Sequence, residues 1–442
     1  MPACPVEATW RGPHRALVIL VIGLVMCGTS TRSLAQDARG SPPASVPIRA
    51  IVVTGLQQIR ESIVLDQLDV RVGDPFDETV ISRNVQRLDR LNVFSRIDIV
   101  ESQDGDGVRL TVSVVETVRI LPAVSIAITD ADGVSAGPTI RLLSVRGVPH
   151  EVSATARFGG STLIEFKEVS PFLYNRRLWH LLRLTYEDRH NSLDDFDQTS
   201  IETDGQIGAR LSARSKVGAL FNLFSVASDV SGKTLSSSNR DWFFSSGALF
   251  EYDSRNLPTN PTRGWWTSAD FLWRGGSGSY VTLNLDGRRY QPLSDRQVLV
   301  ASTLLTLQSG TIGEDVPVYG DYSLGGENTI RGWPFGSRRG KNQFINTLEY
   351  RHSIVPPRNF KVFGFNFYGG LAAAIFGDVG AVWTDPSDFA DRFIGGGGVG
   401  LRIIAPFVNL IRLDLSFGEP NGDVFLQLGV NEKFVTQRNR VR

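Results

Sequence analysis

Apolar and polar positions along the chain fall into two textures. From about Leu121 to Phe434 they alternate one by one, in segments roughly ten residues long. The clearest segments are Trp179-Leu181-Arg183-Thr185, Val281-Leu283-Leu285-Gly287, Val298-Val300-Ser302-Leu304 and Phe425-Gln427-Gly429. A period of two puts successive side chains on opposite faces of a strand. The segments number about sixteen, and the even number is what closed antiparallel barrels usually require. Short connections are expected near Gly147-Val148-Pro149 and Pro406-Phe407. Long ones are expected at His190 to Gln198, Asp229 to Arg240, Gln308 to Asn342 and Trp383 to Arg392. Such a rhythm belongs to barrels with short turns on one side of a membrane and long loops on the other. Tyr252 to Arg263, long and proline-rich, breaks it.

Ahead of this region, Ile48 to Glu116 predicts a compact α/β module. Ile51-Val52-Val53 is a short strand ending at the turn residue Gly55, and Glu61 to Leu68 a short helix. Asp77 can cap a second helix with Ile81, Val85 and Leu88 on one face. Ile97 and Ile99 mark a strand, Asp104-Gly105-Asp106-Gly107 a hairpin turn, and Val108, Leu110, Val112 and Val114 alternate on the return strand.

The first residues read as a processing signal. Arg11, His14 and Arg15 form a basic head, Ala16 to Cys27 is an apolar run of twelve, and Ser33-Leu34-Ala35 supplies small residues where a signal peptidase cuts. Residues 1–35 are therefore expected to be removed, and 36–47, with Pro42 and Pro43, to form a linker. A lipoprotein alternative through Cys27 is disfavoured by the bulky Met26 before it.

Composition narrows the picture further. Gly is high at 44 and Phe at 25, with only 2 Met, a bias that suits close strands and aromatic rims. Lys plus Arg and Asp plus Glu balance at 46 each, which gives no reason to expect nucleic acid as a partner. Cys4 and Cys27 both lie in the segment expected to be removed, so a disulfide framework is not what holds the exported chain. A closed sheet, in which each strand has two hydrogen-bonded neighbours, is. No later run is long and apolar enough for a membrane helix.

Candidate chemistry is sparse. Gly395, Gly397 and Gly400 match a GxGxxG pattern, but they lead into a strand at Leu401 to Ile404 rather than a helix, so small residues in a barrel wall are the better reading. His150, His180, His190 and His352 show no metal-ligand spacing, and neither a GxSxG elbow nor a Walker sequence occurs. No enzyme, metal or cofactor is expected. The long connection Gln308 to Asn342 stands out for its content: Gly325-Gly326-Glu327-Asn328, then Ile330-Arg331-Gly332-Trp333, then Arg338, Arg339 and Lys341. Glycine hinges beside an apolar and a cationic anchor suggest an ordered loop folded into the lumen. The last three cations suit lipopolysaccharide, the lumen or a solvated tip equally.

At this loop the chain resembles the BamA-like superfamily of outer-membrane insertases and two-partner-secretion transporters, whose barrel is also called the bacterial surface antigen barrel. The module resembles a POTRA domain through Gly73-Asp74-Pro75-Phe76, Leu88 to Leu91, Asn92-Val93-Phe94-Ser95 and Val114-Val115-Glu116. Asp253, Arg255, Asn256, Pro258, Pro261 and Gly264 look like the family's proline-rich turn, and Ile330-Arg331-Gly332-Trp333 like its most specific signature. Phe376-Gly377-Asp378-Val379-Gly380 resembles the partner motif two strands later, and Gly398-Val399-Gly400-Leu401-Arg402 with Arg412-Leu413-Asp414 the strands before the last. The chain departs from the pattern in having one module, Trp333 in place of Phe or Tyr, and a tail, 435–442, beyond Phe434.

The resemblance implies a mainly β fold: a transmembrane antiparallel barrel over 120–434, preceded by one small α/β POTRA-like periplasmic domain over 48–117. It implies that Arg331 pairs with Asp378 inside the barrel. It also implies an outer-membrane protein that inserts other outer-membrane proteins or translocates polypeptides, the module collecting extended clients. The partners would be client chains, outer-membrane lipid and accessory assembly proteins. A dedicated two-partner exporter and a passive channel or receptor are the rival readings.

Overall fold

The structure, a computed structural model, describes residues 46–430 except 78–80, 82–83, 86, 89–90, 92, 118, 145–146, 174–177, 258–259, 363–364, 405–409 and 419–420. The expected signal segment, most of the linker, Pro258, the Pro406-Phe407 turn, Phe434 and the tail fall outside the described residues.

The module opens with β1 (Ile48–Thr54), followed by α1 (Glu61–Gln67), β2 (Phe94–Asp104) and β3 (Gly107–Glu116). Ile81, Val85 and Leu88 of the expected second helix are helical, while several of their neighbours are not described. The sheet order is β1-β3-β2, with β3 parallel to β1 and antiparallel to β2. The alternating residues Leu110, Val112 and Val114 of β3 are buried against Ile63, Val64 and Leu88, so the period of two on the strand and the apolar stripe of the helices meet in one core. Gly55 turns the chain at φ 85°, where a Cβ would strike the Val114 carbonyl. Glu116 fixes the next loop: its Oε1 accepts the backbone N–H groups of Gln57, Gln58 and Ile59 at 2.8–2.9 Å.

Sixteen antiparallel strands follow in one sheet. They begin with β4 (Ile120–Thr129), β5 (Gly133–Leu143), β6 (Glu151–Gly159), β7 (Ser161–Leu173) and β8 (Leu178–Asn191). Next come β9 (Phe196–Arg210), β10 (Ser215–Ser228), β11 (Arg240–Asp253), β12 (Gly264–Gly276), β13 (Ser279–Ser294) and β14 (Gln297–Gln308). After the long connection, which holds its own small ladder of β15 (Tyr322–Leu324) and β16 (Arg338–Gly340), the wall resumes. Its last strands are β17 (Asn342–Val362), β18 (Phe365–Trp383), β19 (Phe393–Ile404), β20 (Ile411–Phe417) and β21 (Val424–Val430). Outward positions such as Ile164, Leu184, Phe221, Phe271, Trp273 and Leu415 are exposed and apolar, while inward ones such as Asp204, Asp270, Asn284, Arg288 and Asn346 are buried and polar. An apolar outer belt around a polar interior is a surface built to be solvated by lipid.

Two expectations need correcting. The sheet does not close with a ladder: β4 and β21 end the strand order, and although their Cα atoms come within 8 Å, no hydrogen-bonded pairing joins them among the described residues. The long connection expected at His190 to Gln198 is a tight turn, because β8 runs to Asn191 and β9 starts at Phe196. The Asn191 side-chain oxygen accepts the N–H groups of Leu193 and Asp194 at 3.2 Å, and Asp195 takes φ 53°. The proline-rich connection between β11 and β12 is long, as expected. It is held by Asn256, whose Oδ1 accepts from the N–H groups of Thr262 and Arg263 at 3.0 and 3.1 Å.

Candidate functional site

The long connection enters the interior and becomes its centre. Ile330 and Trp333 pack with Leu304, Leu324, Ile345, Val382 and Ile394, which lines the tip against β14, β17, β18 and β19. The indole N–H of Trp333 donates to the Gly395 carbonyl at 2.9 Å. Gly332 adopts φ 86°, and a Cβ there would collide with the backbone of Phe417 and Gly418. Glycine is thus required where the tip presses on the end of β20.

Arg331 is fully buried. Its Nε and Nη2 donate to the two oxygens of Asp378 at 2.7 and 3.1 Å, a bidentate fork, and its backbone N–H reaches Asp378 Oδ2 at 3.2 Å. Nη1 turns the other way, to Asp414 at 3.0 Å and Glu349 at 3.3 Å. The guanidinium lies 3.3 Å from the centroid of the Phe376 ring. Asp378 sits within β18 rather than at its end. Its Oδ1 also accepts the Thr347 hydroxyl at 2.7 Å, Thr347 being its cross-strand partner on β17.

Further cations complete the cluster. Arg402 on β19 bridges Glu349, at 2.7 and 3.0 Å, to Asp414, at 2.5 Å; Arg351 donates to Glu349 at 2.7 Å. Strand parity explains the assembly: Thr347, Glu349 and Arg351 are alternate residues of one strand, as are Phe376 and Asp378, and Arg412, Asp414 and Ser416, and all are buried toward the interior. Glycines opposite them leave the room. A Cβ at Gly396 would meet the Arg331 carbonyl oxygen, which explains the glycine at that inward position of the β19 glycine run. Gly380, expected in the partner motif, has the same use, since a Cβ there would press on Ile330.

The tip also touches both edges of the sheet. Glu327 and Asp130, the residue after β4, bond reciprocally: the Glu327 N–H donates to Asp130 Oδ2 at 2.8 Å and the Asp130 N–H to Glu327 Oε2 at 3.1 Å. On the other side, Arg412 of β20 donates to the Glu327 carbonyl at 3.2 Å and to Asn328 Oδ1 at 3.0 Å. The Gly332 N–H reaches Gln427 of β21 at 3.4 Å. One loop thus holds the turn after the first barrel strand and the last two strands at once.

The three terminal cations separate. Arg339 is clamped between Asp321, at 2.7 Å, and Asp194 in the β8–β9 turn, at 2.9 Å. Its hydrogen bonds to Asp321 and then to Asp194 hold its pKa above the ordinary arginine value, while burial pushes the Asp321 carboxyl up. Lys341 donates to the Gly310 carbonyl at 2.6 Å. Arg338 lies 5.8 Å from the Trp333 ring centroid. The sequence motifs supplied Arg331, Asp378, Arg402 and Asp414. Glu349, Asp130, Glu327 as a bridge, and Gln427 were missed; an acidic residue at an inward position of a long strand was the available signal for Glu349.

Comparison with known proteins gives a consistent frame. The Omp85 superfamily domain matches residues 145–434, and the surface antigen variable number repeat, POTRA, matches 46–117. The outer membrane protein assembly factor BamA of Nitratidesulfovibrio vulgaris is 24% identical over 373 residues, which is 78% of this chain and 45% of that protein, so the chain spans less than half the length of this relative. Haemophilus ducreyi BamA lacking POTRA domains 1–3 shares the fold with a TM-score of 0.59 at 15% identity, over 88% of this chain and 84% of the other. CdiB from Escherichia coli does so with a TM-score of 0.52 at 12% identity, over 90% and 92%.

Proposed function

We propose, from the premise that the chain belongs to the Omp85 superfamily, that it inserts β-barrel client chains into the outer membrane, with its POTRA domain in the periplasm as the collector. The observation that carries this reading is the pair of edges, β4 and β21, that lack a ladder between them among the described residues and lie close together under a loop that bonds beside both. Backbone groups left bare in lipid are costly, so an incoming strand gains most where an edge offers it a ladder. The POTRA sheet offers the first such edge: β2 ends its sheet, and an extended client can add to it. The client arrives extended and leaves folded, and its own folding drives the process. Lipid and the client are the partners, with accessory assembly proteins delivering the client.

A dedicated exporter is the second reading, supported by the likeness in fold to CdiB. Passage through the lumen would require the buried Arg331 cluster to come apart, whereas insertion at the edges leaves it in place, and this favours the first reading. Purified protein in liposomes, offered a urea-unfolded barrel client, should speed the appearance of the folded, heat-modifiable client band over that in empty liposomes. Equal rates with and without the protein would contradict the proposal, and client protected inside the vesicles without being membrane-embedded would favour the exporter.

A further inference from the structure

His150, Glu168 and His180 meet on the outer face of the wall. They come from three elements: the turn before β6, β7, and β8. The Nε2 atoms of both imidazoles approach the same oxygen, Glu168 Oε1, at 3.0 Å for His150 and 3.3 Å for His180, and one ligand atom from each residue lies within 4.8 Å of the other two. The rings stand edge to face, with centroids 6.0 Å apart at 72°. His150 is 8% exposed. Glu168 is the cross-strand partner of Leu182 and His180 of Ser170, so both share the outward parity of Phe166, Leu182 and Leu184.

We propose that these three side chains form a binding site for a divalent transition metal of the zinc class. Nitrogen and carboxylate donors in a two-histidine, one-glutamate set are the ligands zinc takes, and donors about 2.0–2.1 Å from a tetrahedral ion sit roughly 3.3 Å from one another. The two histidine–glutamate separations, 3.0 and 3.3 Å, already match edges of that tetrahedron. The location suits the chemistry as well. The cluster is at the strand ends nearest the POTRA domain, and on the lipid face of a barrel a charged group is tolerated there far better than at mid-height.

The site has a structural partner. Three residues before His150, the Gly147 carbonyl accepts the Arg60 N–H of the POTRA domain at 3.1 Å, and Val148 packs against the POTRA core. A metal on His150 would pin this docking turn to β7 and β8. Spacing along the chain does not reveal the site: the other two ligands lie 12 and 30 residues from His180, and only strand register brings them together.

The test uses tag-free, chelator-treated full-length protein in detergent, titrated with Co2+ and Zn2+. One Co2+ per chain with the intense visible bands of a tetrahedral ion, displaced by Zn2+, is expected. Glu168→Gln and His180→Asn should each weaken binding by at least about 100-fold, beyond the 10–100-fold that loss of an outer partner brings. His190, exposed at the other end of the barrel beside Asp195 and Asp197, supplies the control, and His190→Gln should change nothing. Heat-modifiable migration shows that each variant is folded. Absence of stoichiometric binding to the parent protein, or binding that survives both ligand substitutions or is lost with His190→Gln, overturns the proposal.

Discussion

Arg331 shows how a single residue organises the interior. Its guanidinium is fully buried among Asp378, Asp414 and Glu349, so its attraction to them must offset the cost of leaving water. Such a cluster adds little net stability compared with an apolar replacement, but breaking it from one side is expensive, because the remaining charges are stranded. Arg331→Ala is therefore expected to cost about 3–5 kcal/mol locally, seen as new protease cutting within 325–336 while the folded barrel band persists. Arg331→Lys should restore only part of the protection: an ammonium cannot make the fork to Asp378 or lie flat on Phe376. Protection equal to the parent in both variants would contradict this account of the loop. The Arg331–Asp378 pair was legible in the sequence because two recognisable motifs carry it. Glu349, Asp130 and Gln427 were not, since a period of two tells which face a residue takes but not which neighbour the register sets opposite.

Among the elements, the POTRA sheet and the barrel wall draw on different sources of stability. The POTRA core is built from its own residues, Ile48, Ile63, Val64, Leu88, Leu110, Val112 and Val114 among them, with Val148 the addition from outside. A fragment of residues 46–117 should accordingly fold alone and unfold cooperatively in urea; a fragment with random-coil spectra would show that the barrel completes its core. This module was legible almost strand by strand, because each element has a strong period and clear turn residues such as Gly55 and Gly105. Connection lengths were less so. The stretch from His190 to Gln198 is polar and read as a loop, yet its flanks pair across β8 and β9, His190 with Asp197 and Asn191 with Phe196, and the turn itself is short. Water-facing extensions of barrel strands have no apolar face to announce them.

For the whole molecule, the account rests on the seam. Alternation predicted the number of strands but not whether the last meets the first, since an edge strand and a paired one share the same pattern. The answer lies in the gap between β4 and β21 among the described residues, and in a loop that bonds to both sides of it. If clients enter at β4 and β21, the loop's hold on the first hairpin must yield. The most direct measurement is a lock placed there. Asp130→Cys with Glu327→Cys, whose parent residues already bond reciprocally, puts a disulfide between loop and hairpin. Cysteine-free at Cys4 and Cys27, this protein should insert clients into liposomes at the parent rate when reduced, and at the rate of empty liposomes when oxidised. Client insertion at an undiminished rate with the disulfide fully formed would contradict opening of the seam as the route.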